Sequence, residues 1–597
     1  MLPNNVKLVI WDLDDTFWKG TLAEGAVQIP AKNRTILETL TKRGIVSSIS
    51  SKNNFDNVRK VLEEHGLWSY FVFPQIEFAP KGESIARNIE RMNLRPDNVL
   101  FIDDNHLNIE EAKYFSPKLM TAHPDEILPH ILDLPETQGK NDADLSRLHQ
   151  YKQLETKFQD QKMTPGSNED FLRNCNITVE IDIEVESYFD RVVELVNRSN
   201  QLNYTKRRLE TEAALDEFRK RLTAYGNHAG VVKAKDKYGD YGIVGFYMSS
   251  RTANCFQLIH FVFSCRIMSM GIEQYVYELL GRPSINIAPP VANGLDEFAV
   301  VNWINTRRDD ADSAAASAAK LLLIGGCDLL QVATYCSINR SEFVNTVNRD
   351  VMVRYDDAGF VLSPREAVAS SDTLPLLPVW TKDDVRRFDT GLAEADVIIT
   401  SFWEMLVGDY MVLDDQILIR IDPVFHRKNI GRPDYEPRIE HARYVRLSVS
   451  QKLELIRRSL DLVSKRGSTG KLFVLGAPTR RYKNNTLELR QRYNEMAEAY
   501  CQNSPGVTFV SLDDVIPESE ILDAQHFTRK GYFALASELI RQMHSQSGKA
   551  RVASAEHYTE GGFEDILENS MDLAFVGDVL SPMPAPQTPD TAETQFT

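Results

Sequence analysis

Two aspartates follow an apolar run near the N-terminus: in WDLDDT, residues 11–16, Asp12 and Asp14 stand two positions apart. At the end of a strand such a pair can divide the labour of phosphoryl transfer. Asp12 can attack phosphorus as a carboxylate nucleophile, and Asp14 can donate a proton to the leaving group and later take one from water. Two neighbouring carboxylates repel, so a hard divalent cation, Mg²⁺, is expected between them. The companions of this pair lie downstream. Ser51 closes GIVSSISS and is followed by Lys52 and Asn53, while Lys81 stands in FAPKGES and Asp103 and Asp104 in VLFIDDN. Ser51, with Thr16, Lys52 and Asn53, can hold phosphoryl oxygens, Lys81 can neutralise the phosphate, and Asp103 and Asp104 can complete the metal set with Asp12 and Asp14.

The elements that must position these groups are legible. Residues 1–140 alternate strand-like and helix-like runs: KLVIWDLD, NRTILETLTKR, GIVSSISS, NFDNVRKVLEEHG and NVLFIDD. This alternation predicts a parallel sheet with helices on both faces, which presents ligands at the C-terminal ends of its strands. Order, strand context and spacing together resemble the haloacid dehalogenase (HAD) superfamily. Asp12 and Ser51 are 39 positions apart and Ser51 and Lys81 are 30 apart, room for one helix–strand unit each. No large cap domain fits in either gap, so water exclusion must come from another domain or a partner.

A second candidate centre lies in residues 141–305, which open on a charged, helix-prone linker. Three clusters stand out: RSNQLNYTKRR with Asn203 and Arg207, DKYGDYGIVGF with Asp240, and FSCRIMSMGIE with Cys265, Arg266 and Gly271. Cys265 follows the strand LIHFVFS, and a neighbouring cation such as Arg266 favours a thiolate. Gly271 and the helix it opens can offer backbone N–H groups to an oxyanion or phosphate. Asp240 and His260 are candidate base or orienting groups. A lone cysteine at a strand end is also a small hydrophobe that fills a core. The three clusters resemble the acyltransferase-like (GNAT-like) half of FkbH-like proteins, which follow a capless HAD domain with this second, α+β domain. That resemblance, over roughly residues 5–300, implies a defined chemistry. A glyceryl unit is taken from 1,3-bisphosphoglycerate or a related acyl phosphate, phosphate is removed, Cys265 carries the acyl group, and a phosphopantetheinylated acyl carrier protein receives it as a thioester. Ile267–Met270 stand where the family tends to have a Leu-Gly-Arg-like stretch.

A third α/β domain, 318–548, begins at KLLLIGGCD, where two glycines let the chain turn sharply before Cys327. Far downstream Asp523 and His526 sit three apart in DAQHFTRKGY. A histidine oriented by an aspartate and facing a strand-end nucleophile follows the triad logic of acyl transfer. The DxxH pattern resembles SGNH/GDSL hydrolases, with Cys327 in the nucleophile's place and a flavodoxin-type sheet implied. The Gly-x-Asn-Asp block of that family is not evident; Ser401 and Glu404 stand near its expected position. A degenerate SGNH fold used for binding is the competing reading.

Composition bounds the rest. The 597 residues exceed one hydrophobic core. With 68 basic against 85 acidic residues the formal net charge is −17, which disfavours nucleic-acid and membrane-surface binding. Six cysteines without a CxxC pair make neither a disulfide framework nor a structural zinc site. No apolar run is long enough to span a bilayer, so a cytoplasmic protein is expected. The tail, 549–597, carries nine acids against Lys549 and Arg551 and ends in the proline-rich SPMPAPQTPD. Its last 17 residues are expected to be disordered, and FEDILENSMDLAFVGDVL reads either as a packed segment or as a docking peptide. The leading function is thus glyceryl transfer onto a carrier, with onward acyl transfer by the third domain. The alternatives are a HAD-type phosphatase and acyltransferase for another phosphorylated metabolite, or a carrier-binding scaffold.

Overall fold

The computed structural model describes residues 5–306 and 319–573, apart from internal segments at 164–165, 253–254, 297, 299, 337–339, 349–350, 421–428, 430–431, 434–438, 440–441, 467–470, 481–485, 524, 546–562 and 568–570. Residues 307–318 and the proline-rich end of the tail lie outside the described residues.

Three separate sheets organise the chain. The first runs β3-β2-β1-β4-β5 and is wholly parallel, from β1 (Leu8–Trp11), β2 (Val46–Ser51), β3 (Gln75–Ile76), β4 (Val99–Ile102) and β5 (Met120–Ala122). Its central strands are buried at every position, as expected of a parallel sheet covered on both faces. Helices Ala31–Lys42, Phe55–Glu64, Lys81–Arg91 and His106–Phe115 fill the crossovers. The alternation expected over 1–140 is therefore observed, and the carboxylate motifs fall at the C-terminal ends of β1 and β4.

The linker helix, Ser146–Met163, packs with the first domain: Leu148, Tyr151, Leu154 and Phe158 join the cluster of Leu8, Ile10 and Val99. It also reaches the second domain, where Lys157 pairs with Asp236 at 2.8 Å. The apolar positions of this helix face the first core.

The second sheet runs β10-β9-β8-β7-β6-β11: β6 (Ile177–Asp182), β7 (Asn227–Asp236), β8 (Gly239–Thr252) and β9 (Cys255–Phe263) are antiparallel, and β10 (Ser284–Ile285) and β11 (Ile304–Thr306) pair parallel at its edges. The third domain has a parallel sheet, β13-β12-β16-β20-β21, from β12 (Leu321–Gly325), β13 (Arg340–Val344), β16 (Val397–Ser401), β20 (Lys471–Leu475) and β21 (Val507–Val510). Counted within its own strands this is the doubly wound order 2-1-3-4-5 of flavodoxin-type sheets. A ribbon of β14 (Thr346–Asn348) and β15 (Val351–Val353) and a small antiparallel sheet flank it. The small sheet consists of β17 (Tyr410–Leu413), β18 (Ile417–Arg420), β19 (Arg443–Arg446) and β22 (Met571–Leu573). β22 comes from the tail, and Phe563, Ile566 and Leu567 are buried in the third core. The described part of FEDILENSMDL is therefore a packed segment.

The second and third domains are in direct contact. The buried Arg529 guanidinium donates to the carbonyls of Leu222 and Ile183 and pairs with Glu186, and Arg251 pairs with Glu342. No helix among the described residues is long and apolar enough to cross a membrane.

Candidate active site

The carboxylate centre is built by strand ends. The Asp12 amide donates to the Ile102 carbonyl at 2.9 Å, so the parallel pairing of β1 and β4 continues one residue beyond β1 and carries Asp12 to the sheet's edge. The chain then turns tightly, with the amides of Thr16, Phe17 and Trp18 all directed at the Leu13 carbonyl and Asp15 left-handed at φ 50°. Lys81 is the first residue of its helix, after Pro80. Its ammonium lies 2.6 Å from Asp12 Oδ1 and 2.7 Å from Asp103 Oδ2, and the three residues are 3%, 6% and 0% exposed. One oxygen each from Asp12, Asp103 and Asp104 lies within 4.8 Å of the others.

Three carboxylates face one ammonium. Burial pushes the Asp12 carboxyl up to about 6, with Lys81 opposing that rise and Asp103 adding to it. Burial and then Asp103 also push Asp104 up. This excess negative charge on hard oxygens suits a divalent cation, and the cluster of Asp12, Asp103 and Asp104 fits Mg²⁺.

Asp14 departs from the expected metal set. Its carboxylate accepts from Trp18 Nε1 at 2.8 Å, the Leu22 amide at 3.0 Å and Asn53 Nδ2 at 2.9 Å, and it does not join the three-carboxylate group. Asn53 also donates to Ser51 Oγ at 3.1 Å, which links Asp14 to the Ser51 hydroxyl. Thr16 is turned toward Asp104. Its hydroxyl accepts from the Asp104 amide at 3.1 Å and donates to Asp104 Oδ1 at 3.4 Å, so it positions that carboxylate. Lys52 reaches Asn108 Oδ1 at 3.2 Å. Asn108, absent from the sequence-derived set, donates to both Asp103 oxygens at 3.1 and 3.2 Å. Its signal is an amide five positions after Asp103, on the helix that the motif opens. Phe78 and Leu107, on the segments that carry Lys81 and Asp104, are 79% and 78% exposed.

Cys265 lies elsewhere, at the wall of a cavity of about 570 Å³ between the first domain, the linker helix and the second domain. The Asn93 side chain of the first domain donates to the Cys265 carbonyl at 3.3 Å. Burial pushes the Cys265 thiol up, while nearby backbone amides and Lys7 act against that rise. Lys7 is a cation set against the thiol. Arg266 turns its guanidinium to Ser264 Oγ at 3.2 Å and the Ile243 carbonyl at 3.4 Å.

Of the residues expected around Cys265, Arg266 lines the cavity, and Asn203, Arg207, Asp240 and His260 do not. Asn203 is buried as a turn brace, donating to the Val196 carbonyl and accepting from the Lys206 amide. The Asp240 carboxylate accepts from the Gly242 amide, and Arg207 is exposed. His260 is packed among Phe218 and Phe246, and burial lowers it to about 4. Gly271 is left-handed at φ 76° and sits against Trp303 and Phe298, outside the cavity.

The Cys265 cavity and the Asp12 centre occupy opposite ends of the first sheet. Lys7 and Asn98, which precede β1 and β4, line the cavity, whereas Asp12 and Asp103 follow the same strands. Lys7 to Asp12 spans roughly 16 Å of extended chain.

In the third domain the turn after Gly325 does place Cys327 at the end of β12, 7% exposed. Burial and then Glu404, Asp356 and Asp328 push its thiol far above the ordinary range, and this opposes the expected thiolate nucleophile. His526 Nδ1 is 2.7 Å from Asp523, as expected, and its ring stacks on Tyr225 of the second domain with centroids 3.8 Å apart. Among the described residues no hydrogen bond joins His526 to Cys327. Ser401 donates to Asp328, and Glu404 pairs with Arg354 at 2.7 Å and lies 3.7 Å from Arg420; neither is disposed as an oxyanion donor. Burial, then Asp356, pushes Glu404 up to about 8.

No family model and no curated protein matches the chain. Solved structures match parts of it. The N-terminal part of a Bacteroides fragilis protein, containing a phosphatase domain complexed with Mg, is 21% identical over 24% of this chain, with TM-score 0.19, and the match spans only 40% of that chain. A 3-deoxy-D-manno-octulosonate 8-phosphate phosphatase from Moraxella catarrhalis is 15% identical over 26% of this chain and 92% of its own, with TM-score 0.16. A Streptococcus pneumonia protein described as a platelet activating factor is 13% identical over 38% of this chain and 83% of its own, with TM-score 0.19.

Proposed function

We propose that the chain is a Mg²⁺-dependent, capless HAD-type phosphatase joined to an acyltransferase, and that it moves a glyceryl unit from 1,3-bisphosphoglycerate to a phosphopantetheinylated acyl carrier protein. The observation that carries the phosphatase reading is the Lys81 ammonium clamped between Asp12 and Asp103, with Asp104 close enough to share a cation. Asp12, Asp103 and Asp104 would hold Mg²⁺, which supplies charge neutralisation for an incoming phosphate.

The residues then act as follows. An Asp12 oxygen attacks the phosphorus of the phosphate ester, the ester P–O bond breaks, and the departing alkoxide takes a proton from Asp14. Water then attacks the aspartyl phosphate, gives a proton to Asp14, and releases inorganic phosphate with Asp12 restored. Lys81 holds Asp12 and faces the phosphate, while Ser51 and Asn53 hold its oxygens near Asp14. In the acyl step the Cys265 thiol loses its proton to solvent and its sulfur attacks the acyl carbon. The bond from that carbon to the phosphate oxygen breaks, inorganic phosphate leaves, and the carrier's thiol later displaces Cys265 from the thioester. The exposed Phe78 and Leu107 on the segments that carry Lys81 and Asp104 suit a macromolecular partner.

Resemblance to GNAT-like and SGNH-like domains supports this reading for the second and third domains. Onward transfer by the third domain has the Asp523-oriented His526 in its favour and the protonated Cys327 against it. The test is incubation with 1,3-bisphosphoglycerate, Mg²⁺ and a phosphopantetheinylated carrier protein with a free thiol, followed by intact mass measurement. A glyceryl adduct on wild type that disappears in Cys265→Ala is expected. Phosphate release without any adduct would replace this reading with a plain phosphatase for another metabolite.

A further inference from the structure

Six cations converge on the cavity beside Cys265: Lys7 and Arg95 from the first domain, Arg147 from the linker helix, and Arg191, Arg198 and Arg266 from the second domain. Glu194 is the one carboxylate in the lining, and it is shared by Arg191 at 2.9 Å, Arg198 at 2.8 Å and Lys140 at 2.9 Å. Lys7, Arg95, Arg147 and Arg266 make no ion pair among the described residues. Arg147 Nε is buried without a hydrogen-bond partner. The cations also oppose one another. Burial, then Arg147, Arg95 and Arg198, push Lys7 down, and burial, then Arg191 and Arg147, lower Arg266 to about 10. Gathering like charges from three segments of the chain around a half-buried space is costly unless an anion is bound there.

We propose that this cavity is a phosphate-recognition site, separate from the Asp12 centre, that holds a phosphorylated ligand with its reacting carbon or sulfur against Cys265. Two sources share that chemistry: the phosphate of a free acyl donor and the phosphodiester of a carrier's phosphopantetheine arm. A phosphate held here lies at the opposite end of β1 from Asp12, so it is gripped and not hydrolysed in this pose. Lys7, Asn93 and Arg95 make the first domain a wall of the acyl-transfer cavity. This places residues of the HAD-like domain in acyl-donor or carrier recognition, and it rests on the role given above to Cys265.

The test is calorimetric titration of the full chain with 3-phosphoglycerate and, separately, with phosphopantetheine. Each is paired with a measurement of how far it protects Cys265 from iodoacetamide. Protection by 3-phosphoglycerate assigns the cavity to the donor's phosphate, and protection by phosphopantetheine assigns it to the carrier arm. Affinity is expected to fall about tenfold or more in Arg147→Gln and in Arg95→Gln, since each removes a charge-assisted hydrogen bond. It should also weaken with added salt and survive in Asp12→Asn, with circular dichroism confirming that each variant is folded. The proposal is overturned if neither ligand protects Cys265, if Arg147→Gln and Arg95→Gln both bind like wild type, or if Asp12→Asn abolishes the protection. Failure of the phosphatase reading would appear separately, as absent Mg²⁺-dependent hydrolysis of p-nitrophenyl phosphate.

Discussion

Replacing Lys81 with methionine removes one charge and little volume, and it isolates what the ammonium does. Lys81 is 3% exposed and bridges two buried carboxylates at 2.6 and 2.7 Å. Without it Asp12 and Asp103 face each other unpaired, and breaking a buried pair costs about 3–5 kcal/mol. Asp12 already sits at about 6 with Lys81 opposing the rise. Losing that opposition raises it further, so a larger share of the nucleophile is protonated at pH 7. Lys81→Met should therefore lower unfolding stability by about 3–5 kcal/mol in Mg²⁺-free buffer. It should also cut turnover of p-nitrophenyl phosphate by at least about 100-fold, the scale of one electrostatic stabiliser. Part of the stability loss should return with Mg²⁺, because a cation can neutralise the same oxygens. The assays are urea unfolding with and without Mg²⁺ and initial-rate kinetics. Stability and turnover both within twofold of wild type would refute the reasoning.

Other outcomes follow from the same geometry. Asp12 ionises at its ordinary 3.8 when unfolded but at about 6 when folded, so the folded chain binds the extra proton between these values. Its contribution makes Mg²⁺-free stability fall as pH rises from about 4 to 6, by about 3 kcal/mol, and Mg²⁺ affinity weaken below about 6, both measurable by denaturant titration. Asn108→Ala leaves Asp103 without two N–H bonds and should weaken Mg²⁺ activation about tenfold in a metal titration. Cys327, held protonated, should resist a disulfide reagent at pH 8 in the folded chain and react only after unfolding, with modification followed by mass. Tyr225→Ala should cost about 0.5–1.5 kcal/mol of stability by removing the stack on His526, readable as a lower urea midpoint.

The carboxylate centre was legible because a parallel strand announces its own end. LVIW is buried at all four positions, and the first polar residue after it, Asp12, lands at the sheet's rim. Asp103 follows the same rule after VLFI, whereas Ser51 is the last residue of a strand that already holds Ser47, Ser48 and Ser50. The roles of Thr16 and Asp14 were less legible, since hydrogen bonds to Asp104, Trp18 and Leu22 depend on how the turn closes. The cavity beside Cys265 was illegible in kind. Lys7, Arg95, Arg147 and Arg191 come from distant segments with no shared periodicity, and only the docking of domains brings them together. Asn203 and His260 misled for the opposite reason. Polar residues within a motif can serve a turn or an aromatic core, and their types alone do not separate bracing from catalysis.

The most direct measurement is the Mg²⁺ dependence of p-nitrophenyl phosphate hydrolysis by wild type and Asp12→Asn. The account predicts saturable, Mg²⁺-dependent turnover in wild type and none in the variant. Metal-independent hydrolysis that persists in Asp12→Asn would contradict it.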